Sequence, residues 1–279
     1  MAALDETRSI YLNPREMTSK AEDLGVEKSK MSAQKLLLLG ILAGGYIALG
    51  AVFSAVAVTG MSGVWPYGFA RITAGITFSL GLILVVVGGA ELFTGNNLMI
   101  IALLKHKITL PALLRNWGWV YLGNFIGSLV IALLVICSRM YTFANGEVGK
   151  GMLTLANNKV HYSFIQAVAL GILCNILVCL AVWLTYSTQN TGAKILAMIF
   201  PITAFVAAGF EHSVANMYVL SVGLLLKAID PSFIAGLNLN LSGLNVFTAL
   251  VNNLIPVTIG NILGGAGFVG LLYSLIYRE

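Results

Sequence analysis

Long apolar runs alternate with short polar stretches along this chain. The runs cover about Ser32 to Thr59, Gly68 to Leu104, Pro111 to Arg139, His161 to Tyr186, Ile195 to Leu226 and Asn245 to Tyr277. A helix rises 1.5 Å per residue, so about 20 apolar residues cross a ~30 Å hydrocarbon core. The pattern predicts six spans and an all-α integral membrane protein. Two runs are interrupted: the second by Ala90-Glu91-Leu92-Phe93-Thr94-Gly95-Asn96-Asn97, the fifth by Gly209-Phe210-Glu211-His212-Ser213-Val214-Ala215-Asn216. Backbone groups freed at such breaks find no partner in lipid, so each break must line protein or water, and a central pore follows.

The interruptions sit in corresponding places. Gly40-Ile41-Leu42 answers Gly171-Ile172-Leu173, Glu91 answers Glu211, and Gly123-Asn124 answers Gly260-Asn261, at offsets of 131, 120 and 137. Three spans per half is an odd number, so the second half enters from the opposite side. The result is an inverted 3+3 repeat, about 31–140 and 160–279, with spans two and five broken and a substrate site at the midplane. Ahead of this six-span domain, 31–279, residues 1–30 form a separate segment rich in Asp, Glu, Arg and Lys. Met17, Ala21, Leu24 and Gly25 recur there at helical spacing, which fits an amphipathic or pore-capping helix on the cytoplasmic side; the other reading is a solvated tail. The stretch between spans three and four, up to Lys159, reads as a polar loop.

Composition agrees. Of 279 residues 58% are hydrophobic and only 10% charged, with mean hydropathy +0.89, whereas a soluble globule carries about 25% charged residues. The net charge of +5 does not indicate nucleic acid, because the basic residues are scattered between spans. They set orientation instead. With the N-terminus inside, eleven Lys and Arg fall on inner segments (Arg8, Arg15, Lys20, Lys28, Lys30, Lys35, Lys105, Lys107, Arg115, Lys194, Arg278). Five fall on outer ones (Arg71, Arg139, Lys150, Lys159, Lys227), so both termini are expected in the cytoplasm. No cleavable signal is expected at the start. Cys137, Cys174 and Cys179 lie in apolar runs without metal or disulfide spacing and read as small hydrophobes.

Ionisable residues inside apolar runs cost about 2.5–3.5 kcal/mol each on insertion scales, which makes Glu91, Glu211 and His212 candidates for function. Half-helix ends carry N–H donors and partial positive charge, Thr94 a hydroxyl, and His212 an imidazole, a set that suits a small anion. A cation site would need more inward acids. Glu91 and Glu211 sit where a carboxylate caps a half-helix, a structural service that competes with a role toward solute. Lys159 would draw anions by its field, or snorkel as an interfacial lysine. Gly265-Ala266-Gly267-Phe268-Val269-Gly270 fits a dinucleotide fingerprint but follows no strand and lies in an apolar helix, so it reads as helix packing. No metal, cofactor or nucleophile constellation is expected, and an enzyme is not.

The strings FSLGLIL from Phe78, AELFTG from Ala90, NKVHYSFIQAV from Asn158, FVAAGFEHSVANM from Phe205 and NLIPVTIGNILGG from Asn253 resemble the formate/nitrite transporter family, its formate channels above all. The resemblance covers Ser32 to Arg278. It implies a homopentamer of aquaporin-like protomers in the cytoplasmic membrane, each conducting small monovalent anions such as formate. Leu82, with Phe78 and Phe205, would form the inner constriction, and Leu92, Phe93 and Val178 the outer one. Thr94 and His212 would bind substrate between them, Asn175 and Asn261 would line the path, and Lys159 would lend positive potential at the outer side. The N-terminal segment would act as a gating helix, although its acidic sequence departs from the best-known formate channels. A bare anion crossing two apolar slits meets a heavy desolvation cost, so protonation at the site, relayed by His212, is the expected route. The same pore chemistry admits nitrite or hydrosulfide. A neutral-solute pore is the alternative of another class, and it lacks paired Asn-Pro-Ala signatures.

Overall fold

The computed structural model describes residues 11–277. Arg8 and Arg278, two of the inner basic residues, lie outside the described residues. In chain order the helices are α1 Pro14–Lys30, α2 Ala33–Ala57, α3 Tyr67–Gly88, α4 Gly95–Leu104, α5 Leu110–Cys137, α6 Glu147–Lys159, α7 Phe164–Tyr186, α8 Thr191–Ala208, α9 Ser213–Ile229, α10 Pro231–Ala235 and α11 Val246–Ile276. Six of them, α2, α3, α5, α7, α8 and α11, are long and apolar enough to cross a membrane. The protein is a multi-pass membrane protein. Among the described residues the only β-pairing is an isolated bridge, Tyr11 with Thr188.

Local signals set the helix ends. Asn13 accepts from Glu16 N at 3.0 Å while the Glu16 carboxylate takes the Asn13 N–H at 2.7 Å, a capping box that starts α1 with Pro14 in its first turn. Ser32, Thr109, Ser163 and Asn190 cap α2, α5, α7 and α8 with their side-chain oxygens. α3 and α8 both stop at a glycine in the left-handed region, Gly89 (φ +75°) and Gly209 (φ +79°). Residues 89–94 then separate α3 from α4, and residues 209–212 separate α8 from α9.

Two glycine seams hold the spans together. A Cβ on Gly44 would lie 2.0 Å from Asn124 O, and one on Gly127 2.0 Å from Ile41 O, so α2 and α5 touch backbone to backbone. The same seam recurs between α7 and α11, where a Cβ on Gly260 would lie 2.3 Å from Val168 O and one on Gly264 2.2 Å from Ile172 O. In lipid no hydrophobic drive pulls helices together, so close van der Waals approach at small residues does.

The polar stretch before Lys159 is a helix and not a loop. Val148, Met152, Leu153 and Ala156 make an apolar stripe on the buried face of α6, which Lys159 completes, with polar residues such as Lys150 and Asn158 falling between its members. α1 is likewise a docked helix. Met17, Ala21 and Gly25 are buried, and a Cβ on Gly25 would come 2.7 Å from the Ala102 Cβ of α4. Glu22 anchors it to Lys107 at 2.6 Å, and the hydrogen bond to Glu22 holds the Lys107 amine above its ordinary pKa.

Candidate functional site

Thr94 and His212 come from the two separate breaks and meet at one point. Thr94 Oγ1 lies 2.9 Å from His212 Nε2, and both residues are buried. His212 is also the N-cap of α9, its Nδ1 accepting the Ala215 N–H at 3.0 Å. With Nδ1 used as an acceptor, a neutral ring carries its proton on Nε2 and donates it to Thr94 Oγ1. The Thr94 hydroxyl proton is then available to a third group. Asn175 Oδ1 and Ser213 Oγ, both buried in the neighbourhood of this contact, have no partner among the described residues.

Behind each break stands the same polar network. Glu91 Oε1 takes Lys28 Nζ at 2.7 Å, and its Oε2 takes Asn96 Nδ2 at 2.7 Å; Asn96 Nδ2 also reaches Asn116 Oδ1, and Asn116 Nδ2 donates to Lys28 O. In the second half Glu211 Oε1 takes Lys159 Nζ at 2.8 Å and its Oε2 takes Asn216 Nδ2 at 2.7 Å; Asn216 Nδ2 reaches Asn253 Oδ1, and Asn253 Nδ2 donates to Lys159 O. The polar groups are thereby paired within two circuits, except Asn216 Oδ1, which has no partner among the described residues, whereas the matching Asn96 Oδ1 accepts from Lys28 Nζ.

The carboxylates of Glu91 and Glu211 therefore bind side chains, and the freed backbone is served by two asparagines. Asn124 donates to Gly40 O and Glu91 O and accepts from Phe93 N. Asn261 donates to Gly171 O and Glu211 O and accepts from Ser213 N. Asn175 Nδ2 ties the first break to α11 through Thr94 O, Asn97 Oδ1 and Asn261 O, and the Cys179 thiol donates to the same Thr94 carbonyl. Asn175 and Asn261 thus fix the backbone around the Thr94–His212 pair.

The apolar candidates divide differently from expectation. Phe78 and Phe205 meet edge to face at 5.6 Å, and Phe205 lies 5.9 Å from the His212 ring. Leu82 and Leu92, expected at opposite constrictions, both line one cavity of about 420 Å³ on the α1 side, together with Lys28, Lys35 and Glu91. Val178 is fully buried on α7. The Phe93 ring packs against Tyr121 (4.9 Å) and Trp117 (5.9 Å), beside a separate apolar groove on α5 and α11.

Lys28, Asn96, Asn116, Asn124, Asn216 and Asn253 belong to the site only by virtue of these contacts. The sequence carries a signal for them. Glu91 precedes Asn96 by the five positions that separate Glu211 from Asn216, and Asn116 precedes Asn124 by the eight that separate Asn253 from Asn261. Lys28 and Lys159 stand 131 apart, the offset already found for Gly40 and Gly171.

Known proteins are similar to this chain in sequence and in fold. The family model described as formate/nitrite transporter matches residues 15–275. The formate channel FocA of Escherichia coli K12 is 45% identical over 270 residues, covering 95% of this chain and 94% of its own. FocA of Haemophilus influenzae is 41% identical over 274 residues, 97% of this chain and 96% of its own. A solved pentameric formate channel with formate bound superposes with a TM-score of 0.80 at 41% identity, over 88% of this chain and 98% of that one.

Proposed function

The chain belongs to the formate/nitrite transporter family, and on that basis we propose that it passes small monovalent anions of weak acids, formate first, through a pore at Thr94 and His212. One observation carries the reading: the Thr94–His212 hydrogen bond at 2.9 Å, made by two helix breaks and leaving a hydroxyl donor to offer. The α1 side is cytoplasmic, as the excess of Lys and Arg there favours. The assembly is a homopentamer, the state named for the formate-bound relative.

Formate crosses the apolar flanks as formic acid. A proton from solvent takes His212 Nδ1 and displaces the Ala215 N–H. The Nε2 proton then passes to Thr94 Oγ1 while the Thr94 hydroxyl proton moves to a formate oxygen. The acid leaves, the ring is neutral with its proton on Nδ1, and exchange with water restores the Nε2 tautomer. Transfer as a neutral species avoids the desolvation of a charge, which in a medium of low dielectric reaches tens of kcal/mol in the Born limit.

Uptake of [14C]formate by liposomes holding the purified protein tests the substrate. Saturable uptake, faster with an inward proton gradient and only partly competed by nitrite and hydrosulfide, is expected. Rapid nitrite or hydrosulfide movement without formate flux would overturn the formate assignment.

A further inference from the structure

The charge expected to attract anions on the side away from α1 is already committed. Lys159 is buried and paired with Glu211 at 2.8 Å, so at a distance the two charges nearly cancel. Arg71, in the first turns of α3, is different. Its guanidinium donates through Nε to Ala207 O at 3.0 Å and through Nη2 to Val206 O, both in the last turn of α8. Nη2 also stands 3.3 Å from the place of a Cβ on Gly209, the residue that opens the His212 break. These acceptors are neutral carbonyls. Among the described residues no carboxylate lies within ion-pair distance of Arg71.

The setting ties Arg71 to the mouth of the path. Its Cζ lies 6.0 Å from the exposed Tyr67 ring. Tyr162, just before α7, has its phenol pushed up first by burial and then by Glu211, with Arg71 pulling the other way, which places the three groups in one electrostatic neighbourhood. The carbonyl end of a helix carries partial negative charge that would repel an arriving anion, and Arg71 both neutralises that end and leaves a net cation beside it. The equivalent carbonyls at the end of α3, of Val86 and Val87, receive no side-chain hydrogen bond among the described residues. Of these two helix ends, only that of α8 carries a cation on its last carbonyls among the described residues.

Resting on the anion-channel reading above, we propose that Arg71 is the uncompensated charge that draws the anion into the mouth away from α1, with its two hydrogen bonds to α8 holding the guanidinium there. The planar fork explains why this position carries arginine: it bridges two successive carbonyls and keeps its charge, where an amine would offer a point contact.

Salt separates this role from a structural one, because the screening length falls from about 30 Å at 0.01 M to about 10 Å at 0.1 M. Initial formate flux into liposomes at low formate concentration is measured across that range for wild type, Arg71→Gln, Arg71→Lys and Tyr67→Glu. Wild-type flux should fall as salt rises. Arg71→Gln should lose about threefold or more at low salt and flatten the dependence, and Arg71→Lys should keep it. Tyr67→Glu changes an exposed residue and sets a carboxylate beside Arg71 without touching α8, so it should mimic Arg71→Gln even if the glutamine variant fails to fold. A salt dependence unchanged in Arg71→Gln or in Tyr67→Glu, or wild-type flux indifferent to salt, would overturn the proposal alone. Absence of wild-type formate flux at every salt concentration would overturn the channel reading as well.

Discussion

Glu211→Ala is expected to abolish transport and to destabilise the protein by about 3–5 kcal/mol, the cost of leaving one partner of a buried ion pair behind. Glu211 Oε1 is the counter-charge of Lys159, which is 9% exposed, and Glu211 Oε2 accepts from both Asn216 and Asn253. Removing the carboxylate strands an ammonium and takes one acceptor from each of two buried amides, next to the residue that bonds Thr94. The double variant Lys159→Met with Glu211→Leu removes the charges together, and replacing a whole buried pair by apolar groups is often near neutral. It is expected to recover more than half of the stability lost in Glu211→Ala, read as the denaturation midpoint in detergent, while transport stays absent. A double variant as unstable as the single one would show that the ion pair is not the source of the loss.

Gly127→Ala is expected to be as damaging through shape alone. The added Cβ would lie 2.0 Å from Ile41 O, 2.8 Å from Gly45 N and 2.9 Å from Ile41 C, all backbone atoms that no rotamer change can move. α2 and α5 would have to separate. Overpacking usually costs about 1–3 kcal/mol, and a collision with backbone along a helix seam belongs at or above the top of that range. The separation would also reach the site, because Asn124, one turn away, spans from Gly40 O to the backbone of Glu91 and Phe93. Formate flux and thermal stability should fall together. On the same helix Gly118→Ala provides the comparison, since a Cβ there meets nothing within 4 Å. It should leave both quantities unchanged. Equal behaviour of the two variants would contradict the close seam.

The six spans are legible in the sequence because lipid imposes a simple demand: an apolar residue at nearly every position over a fixed length. α6 is not legible in that way. It lies outside the long apolar runs, and its buried stripe is interleaved with Lys150 and Asn158, so only helical spacing distinguishes it from a loop. Glu91, Glu211, Thr94 and His212 stand out as polar residues in apolar surroundings, and the structure gathers all four about the breaks. Lys28 did not stand out, because in a tail already rich in charge one lysine has no contrast; only its contact with Glu91, 63 positions away, gives it a role. Asn96, Asn116, Asn124, Asn216 and Asn253 hid for a related reason, whereas Asn175 and Asn261 entered through the family resemblance. A neutral amide in an apolar run is less conspicuous than a charge, yet Asn124 and Asn261 carry the backbone of both breaks. The grouping of Leu82 with Leu92 depends on how residues 89–94 turn back after Gly89, a path that hydropathy does not encode.

Following formate and protons together in His212→Phe tests whether the ring relays the proton. Liposomes loaded with a pH-sensitive dye receive [14C]formate, and the protein-dependent components of label uptake and internal acidification are recorded side by side. Wild type should take up one proton with each formate. His212→Phe, which removes both ring nitrogens and the 2.9 Å contact to Thr94, should lose the coupled proton uptake. Proton uptake retained in that variant at the wild-type ratio would contradict the account.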